Sequence, residues 1–337
     1  MVTQSVPNTS GGLTVIGGKP FGFLPKEDDI RMFRDTTPPA PDWIIEGLEP
    51  GDVGILSAAG ATGKSMFCLS LAVVVASGKN LFGKWAVGGN PGDVTYLYAE
   101  DGQATMHRRM HALAQITLGG LPDSVVDRLH FYCLRGNPPK FATQGFQRGS
   151  VDKNAAALNE IVMLLRSQAT PRLLIIDPLV KFHSLDENSN EQMNDFIDLM
   201  ARLGTETGVG VILVHHETKS GEAGSQNAIR GAGAIVNEAR WAVTLRKLSV
   251  KEAQAVGIDE DERWKYVFAS SPKVNGTGKL PDLILERGPS GVLSLSAKHW
   301  LTKNGFRTPP VVGGENGRPG KALQDVITAS EVEDEED

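Results

Sequence analysis

Cysteine is scarce in this 337-residue chain, which contains only Cys68 and Cys133. Both lie in apolar segments, a position typical of reduced core residues rather than of a disulfide or a metal site. Long hydrophobic runs are missing too, since no stretch approaches the roughly 20 apolar residues of a membrane span. The N-terminus also lacks a signal-peptide pattern. These absences predict a cytoplasmic protein without a membrane partner.

An excess of positive charge is missing as well. The chain has 34 Lys and Arg residues against 40 Asp and Glu residues, which gives a net charge of −6. This composition argues against a protein that attracts nucleic acid through a basic field over its whole surface. Local positive charge is enough for a motor that holds DNA in a narrow channel, so such motors stay open.

The segment from Val53 to Ser65 carries the most information. It predicts a buried strand, a loop of small residues and the start of a helix, which is the arrangement of a phosphate-binding P-loop. Small residues let several backbone N–H groups point at one anion, and the helix adds its positive dipole end. The predicted nucleotide-binding residues are those of the loop and the helix start: Ala59, Gly60, Ala61, Thr62, Gly63, Lys64 and Ser65.

The last two residues of this segment carry the chemistry. Lys64 is expected to reach the β- and γ-phosphates, and the Ser65 hydroxyl is expected to ligate Mg²⁺. The usual pattern is G-x-x-x-x-G-K-[ST], and Ala58 stands here at the leading glycine position. The match is not strict, but the flanking strand and helix indicate ATP and Mg²⁺ as the cofactors.

An aspartate ends a second apolar strand. The run from Leu173 to Ile176 predicts a buried strand, and Asp177 follows it directly. A carboxylate in this place holds Mg²⁺ through water in P-loop ATPases, so Asp177 joins Ser65 as a predicted metal ligand. The alternative is a turn aspartate before Pro178, which is common in α/β proteins.

A catalytic base must come from another strand, because Pro178 leaves no glutamate next to Asp177. The strand predicted from Asp93 to Ala99 is followed by Glu100 and Asp101. Ligands bind at the carboxyl ends of parallel strands, so Glu100 is predicted to orient and deprotonate the attacking water. The alternative is a pair that caps the next helix, a role that we assign to Asp101.

Two histidines end a third apolar strand, after the run from Val211 to Val214. We predict that His216 hydrogen-bonds the γ-phosphate and senses its loss. The alternative is a histidine pair that is solvated or satisfied in the core. Zinc binding by His215 and His216 is disfavoured, because no third ligand stands at a suitable spacing.

Two polar segments follow these strand ends, one after Asp177 and one after His216. They carry the candidates for binding DNA: Lys181, His183 and Lys219. Such segments can move when the γ-phosphate is lost, and contacts to the strand backbone would be independent of sequence. The alternative is that these residues are solvated and contribute little.

The chain as a whole divides into three predicted parts: a flexible N-terminal arm at residues 1–41, an ATPase domain at 42–303, and a flexible tail at 304–337. Within the domain, helices separate short apolar strands, which predicts an α/β fold with a mainly parallel central sheet. After Arg240 the pattern predicts a C-terminal antiparallel β extension. The tail ends in an acidic cluster, either a solubilising end or a partner-binding segment.

The order and spacing of these motifs resemble the RecA-like ring helicases, and most closely the small RepA-type replicative helicases of plasmids. The resemblance extends over roughly residues 42–300. Its segments are Gly60 to Ser65, Tyr98 to Asp101, His107 to Leu113, Ile176-Asp177 with the downstream Phe182-His183, His215-His216 with Ala228 to Gly231, and Glu238 to Trp241.

This resemblance implies a RecA-like P-loop core in a homohexamer, with ATP at the subunit interfaces. It also implies 5′ to 3′ movement on single-stranded DNA in plasmid or phage replication. By position, Glu100 would be the base, Arg230 a trans arginine finger, and Arg109 a support for Glu100 or the phosphates. From the residues alone, Arg230 can be a surface residue and Arg109 part of a solvated basic helix face.

Other classes of protein share these motifs. A RecA-like recombination mediator binds single strands without unwinding, and a regulatory ATPase binds protein and no DNA. The N-terminal arm is too short for a primase domain. A helicase of this kind would therefore rely on separate initiator, primase or loader proteins.

Overall fold

The computed structural model describes residues 28–298, except 89, 117–119, 148, 217–237, 277 and 279, and the short strands at 301–302 and 305–306. The chain divides into two compact units at Ala40. The described part of the first unit contains helix α1 (Ile30–Asp35), which the sequence did not lead us to expect. The Asp29 side chain caps it by accepting a hydrogen bond from Arg31 N at 3.0 Å.

The second unit alternates strands and helices. Its described helices are α2 (Lys64–Ser77), α3 (Gln103–Ile116), α4 (Asp123–Val126), α5 (Ala155–Arg166), α6 (Asn190–Thr207) and α7 (Val250–Ala255). Its described strands are β1 (Val53–Ala58), β2 (Asp93–Tyr98), β3 (Leu129–Cys133), β4 (Ala142–Gln144), β5 (Val151–Lys153), β6 (Pro171–Asp177), β7 (His183–Ser184), β8 (Gly210–His216), β9 (Trp241–Lys247), β10 (Tyr266–Val274), β11 (Leu283–Arg287), β12 (Leu293–Leu295), β13 (Leu301–Thr302) and β14 (Gly305–Phe306). None of the helices in the described ranges combines the length and the hydrophobicity of a membrane span.

A nine-stranded sheet in the order β12-β11-β10-β9-β1-β8-β6-β2-β3 forms the centre of this unit. In this order, adjacent strands from β9 to β3 run parallel. Adjacent strands from β12 to β9 run antiparallel. The predicted architecture is therefore confirmed: the chain has an α/β core with a mainly parallel central sheet and a C-terminal antiparallel β extension.

The central strands are buried on both faces, which explains why they read as continuous apolar runs rather than as alternating patterns. On one face, α2 packs in a core that includes Trp85 and Trp241. On the other face, α6 packs in a core that includes Phe182 and Phe196. Cys68 is buried in α2, as expected of a core residue, and Cys133 lies half-buried at the end of β3.

A second, three-stranded sheet in the order β5-β4-β7 was not predicted, because its strands are only two or three residues long. β7 lies shortly after Asp177 and pairs parallel with β4, so that Ala142 faces His183. The rings of Phe141 and Phe182 stack with centroids 5.5 Å apart. This sheet fixes the path of the chain just beyond the end of β6.

The close approach of the chain at Gly88 gives a stability prediction. A Cβ at this position would lie 1.8 Å from the carbonyl oxygen of Trp43, so the backbone must shift to accept it. We expect Gly88→Ala to lower the free energy of unfolding by on the order of 2 kcal/mol or more, as overpacking does elsewhere. Gly278→Ala is the matched control, since a Cβ there meets no atom within 4 Å. Equal urea-unfolding midpoints for the two variants would contradict this packing.

Candidate active site

The P-loop joins the end of β1 to the start of α2. Its backbone takes left-handed φ values of 58° at Ala61 and 103° at Gly63. Glycine is required at residue 63, because a Cβ there would be strained and would lie 3.3 Å from the Arg287 guanidinium. The Thr62 hydroxyl donates to the Ala59 carbonyl and closes the turn. The loop therefore has the curved backbone that phosphate binding requires.

The departure from the usual P-loop pattern is accommodated without distortion. Ala58 is the last residue of β1 and is fully buried. It pairs with His216 of β8 on one side and with Leu245 of β9 on the other. A residue within an ordinary strand needs no glycine, so an alanine serves at this position.

Lys64 lies where a phosphate-binding lysine is required. Its ammonium donates to the carbonyl oxygens of Ala58 at 2.9 Å and Ala59 at 3.1 Å. The residue is 6% exposed. The positive charge is therefore held against the start of the loop, next to the backbone that would surround the phosphates.

The candidate catalytic groups meet at the carboxyl edge of the parallel sheet. The strand register places Asp177 beside Tyr98, and Ala99 N donates to the Asp177 carbonyl at 2.9 Å. Glu100 follows directly, and its Oε2 lies 3.4 Å from Nε2 of His216. The structure thus brings together the predicted base and the predicted phosphate sensor, with Asp177 on the strand beside each.

Asp177 is a buried carboxylate. Burial raises its pKa, and the Tyr96 hydroxyl, which donates to Oδ2 at 2.6 Å, acts in the opposite direction. The charges of Glu100, His216 and Lys64 also act on it. Together with the Ser65 hydroxyl, this carboxylate offers the hard oxygen donors that Mg²⁺ prefers, so the residues present fit a nucleotide-bound Mg²⁺.

The predicted DNA-binding role of His183 does not fit the structure. Its side chain is 1% exposed. Its Nδ1 accepts from Leu185 N at 3.1 Å, and its ring packs on Phe196. A histidine buried in this way cannot contact a DNA backbone, and we withdraw it from the candidates. Lys181, by contrast, is exposed at the end of a short 3₁₀ helix.

Glu187, an acidic residue that sequence reasoning missed, lies in the segment after β6. Its Oε1 lies 3.5 Å from Nε2 of His183. This contact lowers the pKa of Glu187, burial opposes the shift, and the charges of His215 and His216 act in the same direction as the contact. Glu187 therefore sets a carboxylate beside the buried ring of His183, within the segment that follows Asp177.

The structure gives Arg109 a partner that was not predicted. Its guanidinium forms an ion pair with Asp101 rather than with Glu100. Asp101 lies just before α3, and its ion pair with Arg109, about two turns further along, thus anchors the start of the helix. The remaining candidates, Lys219 and Arg230, lie outside the described residues, and their roles stay predictions.

The C-terminal extension contacts the P-loop, which no local signal in the sequence indicated. The Arg287 guanidinium donates to the Ala61 carbonyl at 3.1 Å, across 226 residues of chain. Burial lowers its pKa. A cavity of about 810 Å³ lies between α3 and the 288–294 segment that follows Arg287, and its lining includes Thr105, Arg108, Arg109, His111, Ser290 and Ser294.

Two comparisons with known proteins bear on this site. A family model described as an AAA domain matches residues 22–222, which is more than half of the chain. Among solved structures, the flagellar accessory protein FlaH from Methanocaldococcus jannaschii is similar at 14% identity and a TM-score of 0.47, over 74% of this chain and 91% of that one. At these values the similarity to FlaH carries no inference about function.

The buried histidine beside the site gives a pH prediction. Burial holds the pKa of His215 below its ordinary value of 6.5, although Glu187 opposes this shift. Protonation therefore opposes folding: the stability contributed by neutral His215 is present above pH 6.5 and is lost as the pH falls towards its lowered pKa. We expect His215→Gln to lose less unfolding free energy than the parent between pH 7 and pH 5.

The measurement is urea unfolding at pH 7, 6 and 5. His107→Gln is the control, because His107 lies on the exposed face of α3. All three pH values lie above 4.5, the ordinary pKa of glutamate, and the pKa of Glu187 is lower still, so Glu187 stays mainly ionised throughout the measurement. Parallel stability curves for the parent and His215→Gln would contradict the proposed cause.

Proposed function

We propose that this chain, which belongs to the AAA domain family and is a P-loop ATPase, is a ring-shaped DNA helicase that moves 5′ to 3′ on single-stranded DNA. One observation carries this proposal: β8, the strand that ends in His216, contacts the 3₁₀ helix Leu179–Lys181, which follows Asp177. A motor requires such a link between the γ-phosphate position and a mobile contact to its track.

The proposed hydrolysis uses the residues at the sheet edge. Glu100 orients the attacking water and accepts its proton, while Lys64 and the P-loop backbone hold the phosphates. His216, in contact with Glu100, is placed to report whether the γ-phosphate is present. Ser65 and Asp177 would hold Mg²⁺, which would neutralise the charge that develops on the phosphates.

The contact to DNA is proposed at the segment after β6. Lys181 is exposed there, and the ammonium of Lys140 donates to its carbonyl at 2.7 Å. Burial and the charge of Lys181 both lower the pKa of Lys140. Two close ammonium groups favour an anionic partner such as a phosphate backbone, which is consistent with local positive charge on an acidic protein.

The remaining features of the proposal rest on the sequence resemblance. They are a homohexamer with ATP at its interfaces, Arg230 as the arginine finger in trans, Lys219 as a further DNA contact, and a role in plasmid or phage replication beside initiator, primase or loader proteins. Unwinding separates this function from a RecA-like recombination mediator. The net charge of −6 favours, as a second candidate, a regulatory ATPase that binds protein without DNA.

Replacing Lys64 or Glu100 should separate binding from chemistry. We expect Lys64→Ala to weaken ATP binding, because it removes a charge that contacts phosphate. Glu100→Gln should bind ATP normally but lower turnover by on the order of 100-fold or more, since only the base is lost. Equilibrium binding of a fluorescent ATP analogue and steady-state ATPase rates measure the two effects. Near-parental turnover in Glu100→Gln would remove this residue as the base.

Lys181 should matter for DNA and not for basal hydrolysis. We expect Lys181→Ala to keep its basal ATPase rate, to bind single strands more weakly, and to show a salt dependence of binding that is less steep by about one counterion. Lys79→Ala is the control, because Lys79 is exposed just after α2, at the opposite end of that helix from the P-loop. Fluorescence anisotropy at several salt concentrations gives the affinities. Identical slopes in parent and variant would move the DNA path elsewhere.

A further inference from the structure

The hydroxyl of Tyr96 lies beneath the nucleotide site and contacts Asp177. Tyr96 is in the middle of β2 and is fully buried. Its hydroxyl lies 2.6 Å from Oδ2 of Asp177. An ionised carboxylate can only accept, and a phenol is protonated at neutral pH, so Tyr96 is the donor in this bond.

Packing fixes the direction from which this hydroxyl reaches the carboxylate. The Tyr96 ring meets the ring of Phe131 edge to face at 5.4 Å and that of Tyr98 at 6.0 Å. On the side of α2, Cys68 belongs to the same buried core as Tyr96. A ring enclosed on these sides cannot swing away, so the hydrogen bond has a fixed origin.

A buried hydroxyl is costly unless it is hydrogen-bonded, and a phenylalanine would fill the same space without this cost. The cost is offset only because Asp177 accepts the bond. Asp177 is itself desolvated, and the bond to Oδ2 constrains how its carboxylate turns. In other metal sites, removing a group that orients a metal ligand in this way weakens metal binding by roughly 10-fold or more.

We propose that Tyr96 is a positioning residue for the Mg²⁺ used by this ATPase. It acts through Asp177, without touching nucleotide or metal. This inference rests on Asp177 as a Mg²⁺ ligand, which is part of the proposed function, but it is independent of any activity on DNA.

The test measures nucleotide binding rather than turnover alone. A fluorescent ADP analogue is titrated into the parent, Tyr96→Phe and Tyr98→Phe, first in EDTA and then across a range of Mg²⁺ concentrations. For Tyr96→Phe we expect affinity in EDTA within about 2-fold of the parent and a Mg²⁺ half-saturation about 10-fold higher. Tyr98→Phe removes a hydroxyl from the same strand that does not reach Asp177, and should leave the Mg²⁺ dependence unchanged.

Two further readings make the outcome decisive. Saturating Mg²⁺ should restore most of the ATPase rate of Tyr96→Phe, which a purely structural role would not predict. A lower melting temperature with an unchanged Mg²⁺ half-saturation would overturn the inference. Asp177→Asn separates the two proposals: if it alters the Mg²⁺ dependence and Tyr96→Phe does not, only the role of Tyr96 fails. If Asp177→Asn has no effect, the metal assignment fails with it.

Discussion

The parallel pairing of β1 with β8 is the interaction on which the rest of the site depends. It sets Ala58 beside His216, so the P-loop and the candidate phosphate sensor leave the sheet at the same point. The next strands, β6 and β2, add Asp177 and Glu100 at the same edge. Parallel strands all end at the same side of a sheet. The pairing of these four strands therefore brings the P-loop, His216, Asp177 and Glu100 together.

Burial gives this edge its chemical character. Asp177, His215 and His183 are each removed from water. Asp177 accepts a hydrogen bond from the Tyr96 hydroxyl, and Nδ1 of His183 accepts one from Leu185 N. Glu187 lies beside His183 in the segment after β6. Desolvated groups of this kind respond strongly to a nearby charge, which suits a site that must register the gain and loss of a phosphate.

The sequence predicted the elements with long, clear patterns. The strand predicted from Asp93 to Ala99 is observed as β2, Asp93–Tyr98, and the parallel sheet with its antiparallel extension followed from apolar runs and their spacing. What it missed depends on contacts distant in sequence. The strands β4, β5 and β7 are too short to show a period, the burial of His183 comes from packing on α6, and Arg287 reaches the P-loop from a strand far along the chain.

Strand separation tests the central claim most directly, since binding or hydrolysis alone would suit the other ATPases considered above. The substrate is a duplex with a single-stranded tail at either its 5′ or its 3′ end, incubated with ATP and Mg²⁺. We expect ATP-dependent unwinding of the 5′-tailed duplex by the parent and none by Glu100→Gln. Binding to both tails without separation of either duplex, while ATP is hydrolysed, would contradict it.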